Sequence, residues 1–504
     1  MRAFVNSLPI LVVLSGISGF LMMIPAIVAV QVRDYQSAQA FFYWGILTLI
    51  IVLMVAIVTR RTEVEHQVRS QLLSLLGVFL VLPVLLSAPL SASLGDTSFT
   101  NAYFEMVSAM TTTGATVYTA AGRLNEAEEV WRALVAWGGG LLMWSAAIAL
   151  FAPMGLGGYE VANRRLPSVG LGVQQGQQRL ATERLLRAGV QLFPIYAGLT
   201  LALFVLLLVA GEVPLVASVH AFSTLATAGF SPVGGVENAT AGRFGEILIA
   251  LFLIFALSRR TFSAGVMGDA TRDIRQDPEL RLAALVVMTI SLGLFFRHYL
   301  AATQIDEAVG FSSALRALWG TFFTTLSFLT TTGYASADWL TARGWSGINA
   351  PGLLLIGLAL AGGGVATTAG GVKLLRIYAL LKHGEREIGR LVYPNSVGGA
   401  GRFARHVRRE GAFISWIVFM LLGLSLATVM LALSATGVDY EASLILGVAS
   451  LTNTGPLASY AAGDPILLAS LSNAAKYTLG LAMVVGRLET LVIIALFNPA
   501  FWRS

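Results

Sequence analysis

Four times along the 504-residue chain, a short apolar segment runs into a small polar tripeptide that ends in glycine. The four are Thr112-Thr113-Gly114, Thr227-Ala228-Gly229, Thr331-Thr332-Gly333 and Asn453-Thr454-Gly455. The glycines lie 229 − 114 = 115, 333 − 229 = 104 and 455 − 333 = 122 residues apart. Each stands between two long hydrophobic runs, so the pattern reads as four copies of a helix–loop–helix unit on one polypeptide. Four units suffice to surround an axis, and backbone loops meeting on an axis are how a membrane protein builds a cation filter.

Composition agrees. Hydrophobic residues make up 56% of the chain, charged residues 12%, and the mean hydropathy is +0.75, so most of the surface must face lipid. There is no cysteine, which excludes disulfides, thiolate metal sites and cysteine nucleophiles. The five histidines form no metal-binding pair; His220 and His298 are given no role. A net charge of +6 could indicate nucleic acid, but in so apolar a chain it fits basic cytoplasmic loops, and no nucleic-acid partner is expected. The N-terminal apolar run is longer than a signal-peptide core of roughly 7–15 residues and reads as a first membrane helix.

Apolar stretches near 8–31, 41–59, 70–90, 130–154, 187–210, 243–268, 281–302, 349–381, 411–435 and 466–497 have about the length needed to cross a ~30 Å hydrocarbon core. Between alternate pairs lie segments too short to span, at 98–113, 215–227, 313–332 and 440–454, each ending at a repeated glycine motif. They read as half-helices that enter the membrane and turn back. The expected fold is an all-α polytopic membrane protein of ten transmembrane helices. A helix pair occupies 1–68, and four units of helix, half-helix, filter loop and helix occupy 69–165, 180–276, 279–392 and 408–504 around one central pore.

The loops between units are basic, with Arg60, Arg61 and Arg69, then Arg164 and Arg165, then Arg259 and Arg260, then Arg402, Arg405 and Arg408. Segments beside the glycine motifs carry Asp96, Glu128, Glu129, Glu212, Asp306, Glu307, Asp338 and Asp464 instead. By the positive-inside rule the basic loops and the N-terminus are cytoplasmic and the glycine loops open outward, where the acids would concentrate cations. Tryptophans, among them Trp131, Trp339 and Trp345, are expected at the lipid interfaces.

A desolvated cation needs oxygens at fixed distances, and backbone carbonyls supply them without net charge. Glycine permits the positive φ that turns successive carbonyls, the preceding threonine stiffens the strand, and each half-helix aims its partly negative C-terminus at the site. The twelve tripeptide residues are therefore the candidate filter. A second candidate is the stretch 361–371, where Gly362, Gly363, Gly364, Gly370 and Gly371 surround Thr367 and Thr368 inside an apolar span that ends at Lys373. At about 1 kcal/mol per glycine relative to alanine, a continuous helix is costly there. The segment reads as an intramembrane loop able to act as a gate, with close helix packing through small residues as the alternative. Lys373 is counted with the gate residues, with a purely interfacial anchor as the alternative. Glu105 and Lys476 are placed behind the filter or snorkelling outward.

At these residues the chain resembles the Trk/Ktr/HKT superfamily of potassium transport proteins, nearest its TrkH/TrkG branch, over almost its whole length. Beyond the four loops, Trp137-Gly138-Gly139-Gly140, the glycine-rich run from Gly362 to Lys373, Gly486-Arg487-Leu488-Glu489 and a closing motif at 498–503 are similar to that family. The resemblance implies a potassium-selective subunit of a bacterial-type inner membrane, with K+ as the permeant ion held by the four loops. It implies a homodimer with one pore per chain and a ring of TrkA-like cytosolic RCK subunits that carry the regulatory nucleotide. All four filter positions are glycine, whereas sodium-carrying HKT relatives have serine in the first. Two positions depart from the branch: Ala228 where glycine is common, and Thr367-Thr368 where Ser-Thr is common. In the family reading Arg487 projects into the pore below the filter and touches the gate; the alternative is a structural role, through an ion pair such as one with Glu489 or through carbonyl contacts. No nucleophile–base set, Walker motif or dinucleotide fingerprint appears, so no enzymatic activity and no cofactor are expected in this chain. A scarcity of mid-span carboxylates favours gated diffusion over symport.

Overall fold

Long apolar runs leave the backbone no water to bond with, so each must satisfy its own amides as a helix. The protein was studied as a computed structural model that describes residues 8–59, 68–120, 122–152, 157–159, 161, 181–258, 277–301, 311–348, 350–392 and 409–489. Among these residues all regular structure is helical. The basic stretches around Arg60, Arg164, Arg259 and Arg402, the acids Asp306 and Glu307, and the motif at 498–503 lie outside them.

The N-terminal pair consists of α1 (Ile10–Leu21) and α2 (Met23–Gln31), joined at Met22 into one 22-residue span, and α3 (Tyr35–Thr59). The first unit is α4 (Val68–Leu94), half-helix α5 (Phe99–Met110) and α6 (Glu126–Ala146), which continues as a π-turn over Ala147–Phe151. The second is α7 (Ala181–Val209), half-helix α8 (Pro214–Ala226) and α9 (Gly242–Leu253). The third is α10 (Pro278–Ala301), half-helix α11 (Phe311–Leu329), the short α12 (Trp339–Ser346), α13 (Gly352–Ala361) and α14 (Leu374–Val392). The fourth is α15 (Arg409–Ala435), half-helix α16 (Tyr440–Leu451), α17 (Leu457–Tyr460) and α18 (Asn473–Leu488).

Seven helices are long and apolar enough to cross a membrane among the described residues, and this is an all-α polytopic membrane protein. The seven are the N-terminal pair, the opening helix of every unit, and α6 with its π-turn. The three remaining expected crossings are shorter. Helix α9 passes into a 3₁₀ turn at Ile254–Ala256, α13 stops at Ala361, and α18 starts only at Asn473, where the Ser472 hydroxyl accepts the Ala475 N–H at 3.2 Å.

Three of the half-helices, α5, α8 and α16, are short, at 12, 13 and 12 residues, while α11 runs to 19. Ser98 caps α5 by accepting the Asn101 N–H at 3.3 Å, and Pro214 opens α8 at its first position, where a missing N–H costs nothing. At ~1.5 Å per residue, the twelve residues of α5 and of α16 reach about 18 Å, little more than half the hydrocarbon thickness.

Two expectations about the outer surface need correction. Glu128, Glu129, Glu212 and Asp338 are buried rather than lining an acidic mouth. Glu128 accepts from Ser93 Oγ at 2.6 Å and from the Asn125 N–H at 2.9 Å, and Glu212 accepts from the Thr240 hydroxyl at 2.7 Å. These carboxylates close helix and loop ends, leaving Asp96 and Asp464 among the exposed acids. Asp96 takes a hydrogen bond from Arg123, which holds its carboxyl below the usual carboxylate range. Trp131, Trp339 and Trp345 are likewise buried, and Trp131 donates to the Leu86 carbonyl at 3.1 Å rather than sitting in a lipid belt.

Close approach explains one glycine run. A methyl group on Gly139 would overlap the Met110 carbonyl oxygen at the end of α5, whereas one on Gly138 would meet nothing within 4 Å. Gly139→Ala is therefore expected to destabilise the detergent-solubilised protein by about 1–3 kcal/mol. Gly138→Ala is expected to be neutral or stabilising by up to about 1 kcal/mol, gaining helix propensity. Thermal unfolding of the two variants side by side checks this; equal melting temperatures would refute the contact.

Candidate cation filter and gate

Every half-helix ends by the same hydrogen-bond closure. Two residues before each motif glycine the backbone turns left-handed, with φ of 53° at Thr112, 54° at Thr227, 59° at Thr331 and 53° at Asn453. The next N–H reaches back five residues: Thr113 to Ser108 O at 2.8 Å, Ala228 to Ser223 O at 2.8 Å, Thr332 to Ser327 O at 3.0 Å and Thr454 to Ala449 O at 2.8 Å. This is a Schellman closure, whose left-handed position is usually glycine or asparagine. Three of the four here are β-branched threonines, a strain of roughly 1–3 kcal/mol each that surrounding structure must hold. The sequence reading assigned positive φ to the glycines alone and an extended strand to the threonine before them. Gly114, Gly229 and Gly333 do have φ of 76°, 75° and 83°. Gly455 is not among the positive-φ residues; the chain continues through Pro456 straight into α17.

The four loops meet. A methyl group on Gly114 would overlap the Ala228 carbonyl oxygen, and one on Gly229 would overlap that of Thr332. On Gly333 it would lie 2.9 Å from Pro456 Cβ, and on Gly455 2.5 Å from Ala115 Cα. The Gly455 N–H also donates to the Thr113 carbonyl at 2.6 Å. Loop one thus touches two, two touches three, three touches four and four touches one. The structure brings all twelve tripeptide residues into this ring; Gly229 is half-buried and the other eleven are buried.

Hydroxyl pairs stiffen three walls. Thr111 and Thr113 are joined at 2.8 Å, Thr330 and Thr332 at 3.2 Å, and Thr452 donates to Thr454 at 3.1 Å. Ala226 and Ala228 occupy the matching places in the second loop, which therefore has no such pair. Asn453 compensates on another wall: its Nδ2 donates to Thr113 Oγ1 at 2.9 Å and to the Met483 carbonyl at 3.0 Å.

Behind the ring, the half-helix residue nine places before the glycine bonds the strand that follows it in three of the four units (114 − 105, 229 − 220 and 333 − 324 all equal 9, as does 455 − 446). Glu105 Oε2 accepts the Val117 N–H at 3.1 Å, His220 Nε2 bonds Ser231 Oγ at 2.9 Å, and Thr324 Oγ1 accepts the Ser336 N–H at 3.2 Å. The fourth position is Leu446. His220, given no role from the sequence, is a buried strut; its place nine residues before a motif glycine was the available signal. Glu246, also unremarked, accepts from Ser336 Oγ at 2.7 Å and from the Ala337 N–H at 2.6 Å. Lys476 lies farther off, donating to Asn101 Oδ1 at 2.9 Å.

The glycine-rich stretch is a loop. Helix α13 ends at Gly362, whose φ of 71° no helix tolerates, and helix resumes at Leu374. Its two ends are stitched together, Val372 N–H to Leu360 O at 2.9 Å and Leu374 N–H to Gly363 O at 3.0 Å. A methyl on Gly371 (φ 75°) would stand 2.6 Å from Gly362 Cα, so two glycines form the neck. The loop reaches into neighbouring units. Thr367 Oγ1 donates to Ala256 O and Thr368 Oγ1 to Leu225 O, both at 3.0 Å, while the Gly370 N–H donates to Thr331 Oγ1 at 2.7 Å. That last bond ties the loop to a filter residue directly, and a methyl on Gly370 would overlap the Thr452 carbonyl oxygen.

Arg487, on α18, donates Nη1 to the Thr368 carbonyl at 2.6 Å; its Nε and Nη2 are buried with no hydrogen-bond partner. Of the structural alternative, the carbonyl contact is present and the ion pair with Glu489 is not, because Glu489 pairs with Arg376 at 2.7 Å. Lys373 is buried rather than interfacial and donates Nζ to the Ala369 carbonyl inside the loop. Gly364 completes the stretch, its N–H donating to Ala256 O at 3.0 Å.

Comparison with known proteins places this geometry. A family model described as TrkH, cation transport protein, matches residues 37–257 and 270–504. The Trk system potassium uptake protein TrkH of Halomonas elongata is 32% identical over 455 residues, covering 88% of this chain and 87% of that protein. Its namesake from Salmonella typhimurium is 31% identical over 493 residues, 96% of each. The crystal structure of the potassium transporter TrkH from Vibrio parahaemolyticus superposes with a TM-score of 0.79 at 27% identity and full coverage of both chains. These relatives are named for transport, in keeping with the expectation that the chain is not an enzyme. The chain belongs to the TrkH family of cation transport proteins.

Proposed function

We propose that the chain is the membrane subunit of a potassium-uptake system, passing K+ through the ring of four glycine loops under the control of the loop between α13 and α14. The observation that carries this reading is the mutual contact of Gly114, Gly229, Gly333 and Gly455 with one another's loops, since a filter requires carbonyls from four walls within reach of one ion. Backbone from 112–114, 227–229, 331–333 and 453–455 forms the candidate K+ site. Half-helices α5, α8, α11 and α16 end at the ring, so their partial negative charge favours a cation there.

The gate reading rests on the glycine neck at Gly362 and Gly371, on the bond of Thr368 to the second unit and on the bond of Gly370 to Thr331 in the filter loop of its own unit. Arg487 holds the loop through the Thr368 carbonyl and sets a positive charge beneath the filter. Glu105 and Glu246 are engaged by fixed donors, which favours gated diffusion over proton coupling. A homodimer, a TrkA-like cytosolic RCK partner carrying the nucleotide, and an inner-membrane setting with a cytoplasmic N-terminus complete the proposal.

Gly114→Ser should lower the K+ over Na+ permeability ratio by about tenfold, because its side chain displaces the Ala228 carbonyl. Reversal potentials in proteoliposomes equal to wild type would sink the filter assignment. Arg487→Ala should raise resting K+ flux several-fold, by roughly the factor of ten that corresponds to ~1.4 kcal/mol. Unchanged or lower flux from folded protein would count against the gate.

A further inference from the structure

Arg132 belongs to none of the motifs above, yet it contacts residues just after two of the filter loops, Thr116 and Phe230. It sits on α6, is buried, and forks between two buried carboxylates: Nη1 to Glu105 Oε1 at 2.9 Å and Nη2 to Glu129 Oε2 at 2.5 Å. Nη1 also donates to Thr116 Oγ1 at 3.1 Å. Thr116 lies two residues after Gly114, and the other oxygen of Glu105 holds the Val117 N–H. Through one carboxylate and one hydroxyl, Arg132 fixes the strand that leaves the first loop.

Its other face meets the second loop. The guanidinium carbon lies 4.6 Å from the ring centroid of Phe230, the residue directly after Gly229. The Phe230 carbonyl accepts the Tyr334 hydroxyl at 2.9 Å, and Tyr334 directly follows Gly333. The Tyr334 N–H in turn donates to Ser327 Oγ at 2.7 Å on α11. A continuous belt therefore runs behind three walls, from Thr116 through Arg132 and Phe230 to Tyr334.

We infer that Arg132 is a specificity-determining positioning residue, which sets the distance between the first and second filter walls by clamping one with its fork and stacking on the other. This rests on the filter reading above. The arrangement needs a planar, delocalised cation: lysine supplies the charge, but neither the fork to two carboxylates nor the flat face for the ring. A cation on a desolvated aromatic face is a strong contact, so its loss loosens the spacing of the walls rather than the fold of either unit.

The test uses the full chain in proteoliposomes, with K+ and Na+ reversal potentials and K+ flux as readouts. Arg132→Lys and Phe230→Leu should each lower the K+ over Na+ ratio by about five- to tenfold, the scale of one buried charge–ring contact, while K+ flux persists. The double variant should fall no further than Arg132→Lys alone, because the contact with the ring is already lost there. Phe230→Tyr, which keeps the ring, should retain the wild-type ratio. Arg123→Ala, in an exposed pair with Asp96, should also leave it unchanged.

Wild-type ratios in both single variants, or a double variant that falls by the product of the two, overturn the inference. If Arg132→Lys is not recovered folded, Phe230→Leu against Phe230→Tyr decides the matter from the second wall. If wild-type protein itself fails to prefer K+ over Na+, the filter reading fails first and this inference with it.

Discussion

Irregular backbone at mid-membrane depth is the constraint on which this molecule turns. Each unpaired amide or carbonyl exposed to lipid would cost several kcal/mol, so a half-helix cannot simply stop there. The Schellman closure answers that need, returning two N–H groups to helix carbonyls in each unit and leaving the peptides beyond it free for another purpose. It requires a left-handed residue where three units carry threonine. A threonine held in that conformation relies on its surroundings, here Glu105, His220, Thr324 and the hydroxyl pairs. Closure, strain and bracing form one system.

The loop below the ring obeys the same rule. Between Gly362 and Lys373 the chain leaves helix at membrane depth, yet its hydroxyls find carbonyls of the second unit and the Gly370 amide finds the Thr331 hydroxyl of its own. Its hold on Thr331 makes the loop and the third filter wall mechanically continuous. Any displacement of the loop removes a hydrogen bond from the side chain of a strained residue.

The sequence made the large features legible because they are periodic. Glycine spacing revealed four units, run length separated spans from three of the four half-helices, α11 being 19 residues long, and five glycines in an apolar span located the broken helix at Gly362. Other features were hidden because they depend on partners far away in sequence. Nothing local distinguishes Glu128 as a buried cap from Glu128 as a mouth charge; the Ser93 hydroxyl decides it. Arg487 and Glu489 are neighbours in sequence, but Arg376 captures the glutamate. Gly455 matches its three counterparts as a letter and differs in conformation because Pro456 redirects the chain.

The position nine residues before each motif glycine holds a carboxylate strut in the first unit, an imidazole strut in the second, a hydroxyl strut in the third and the apolar, buried Leu446 in the fourth. In a ring assembled from four identical chains, any mutation would strike all corners at once, and most such changes would be ruinous. Joining the corners in one polypeptide allows selection to adjust a single quadrant while three hold steady. Unlike struts around one ring are the mark such piecemeal tuning leaves.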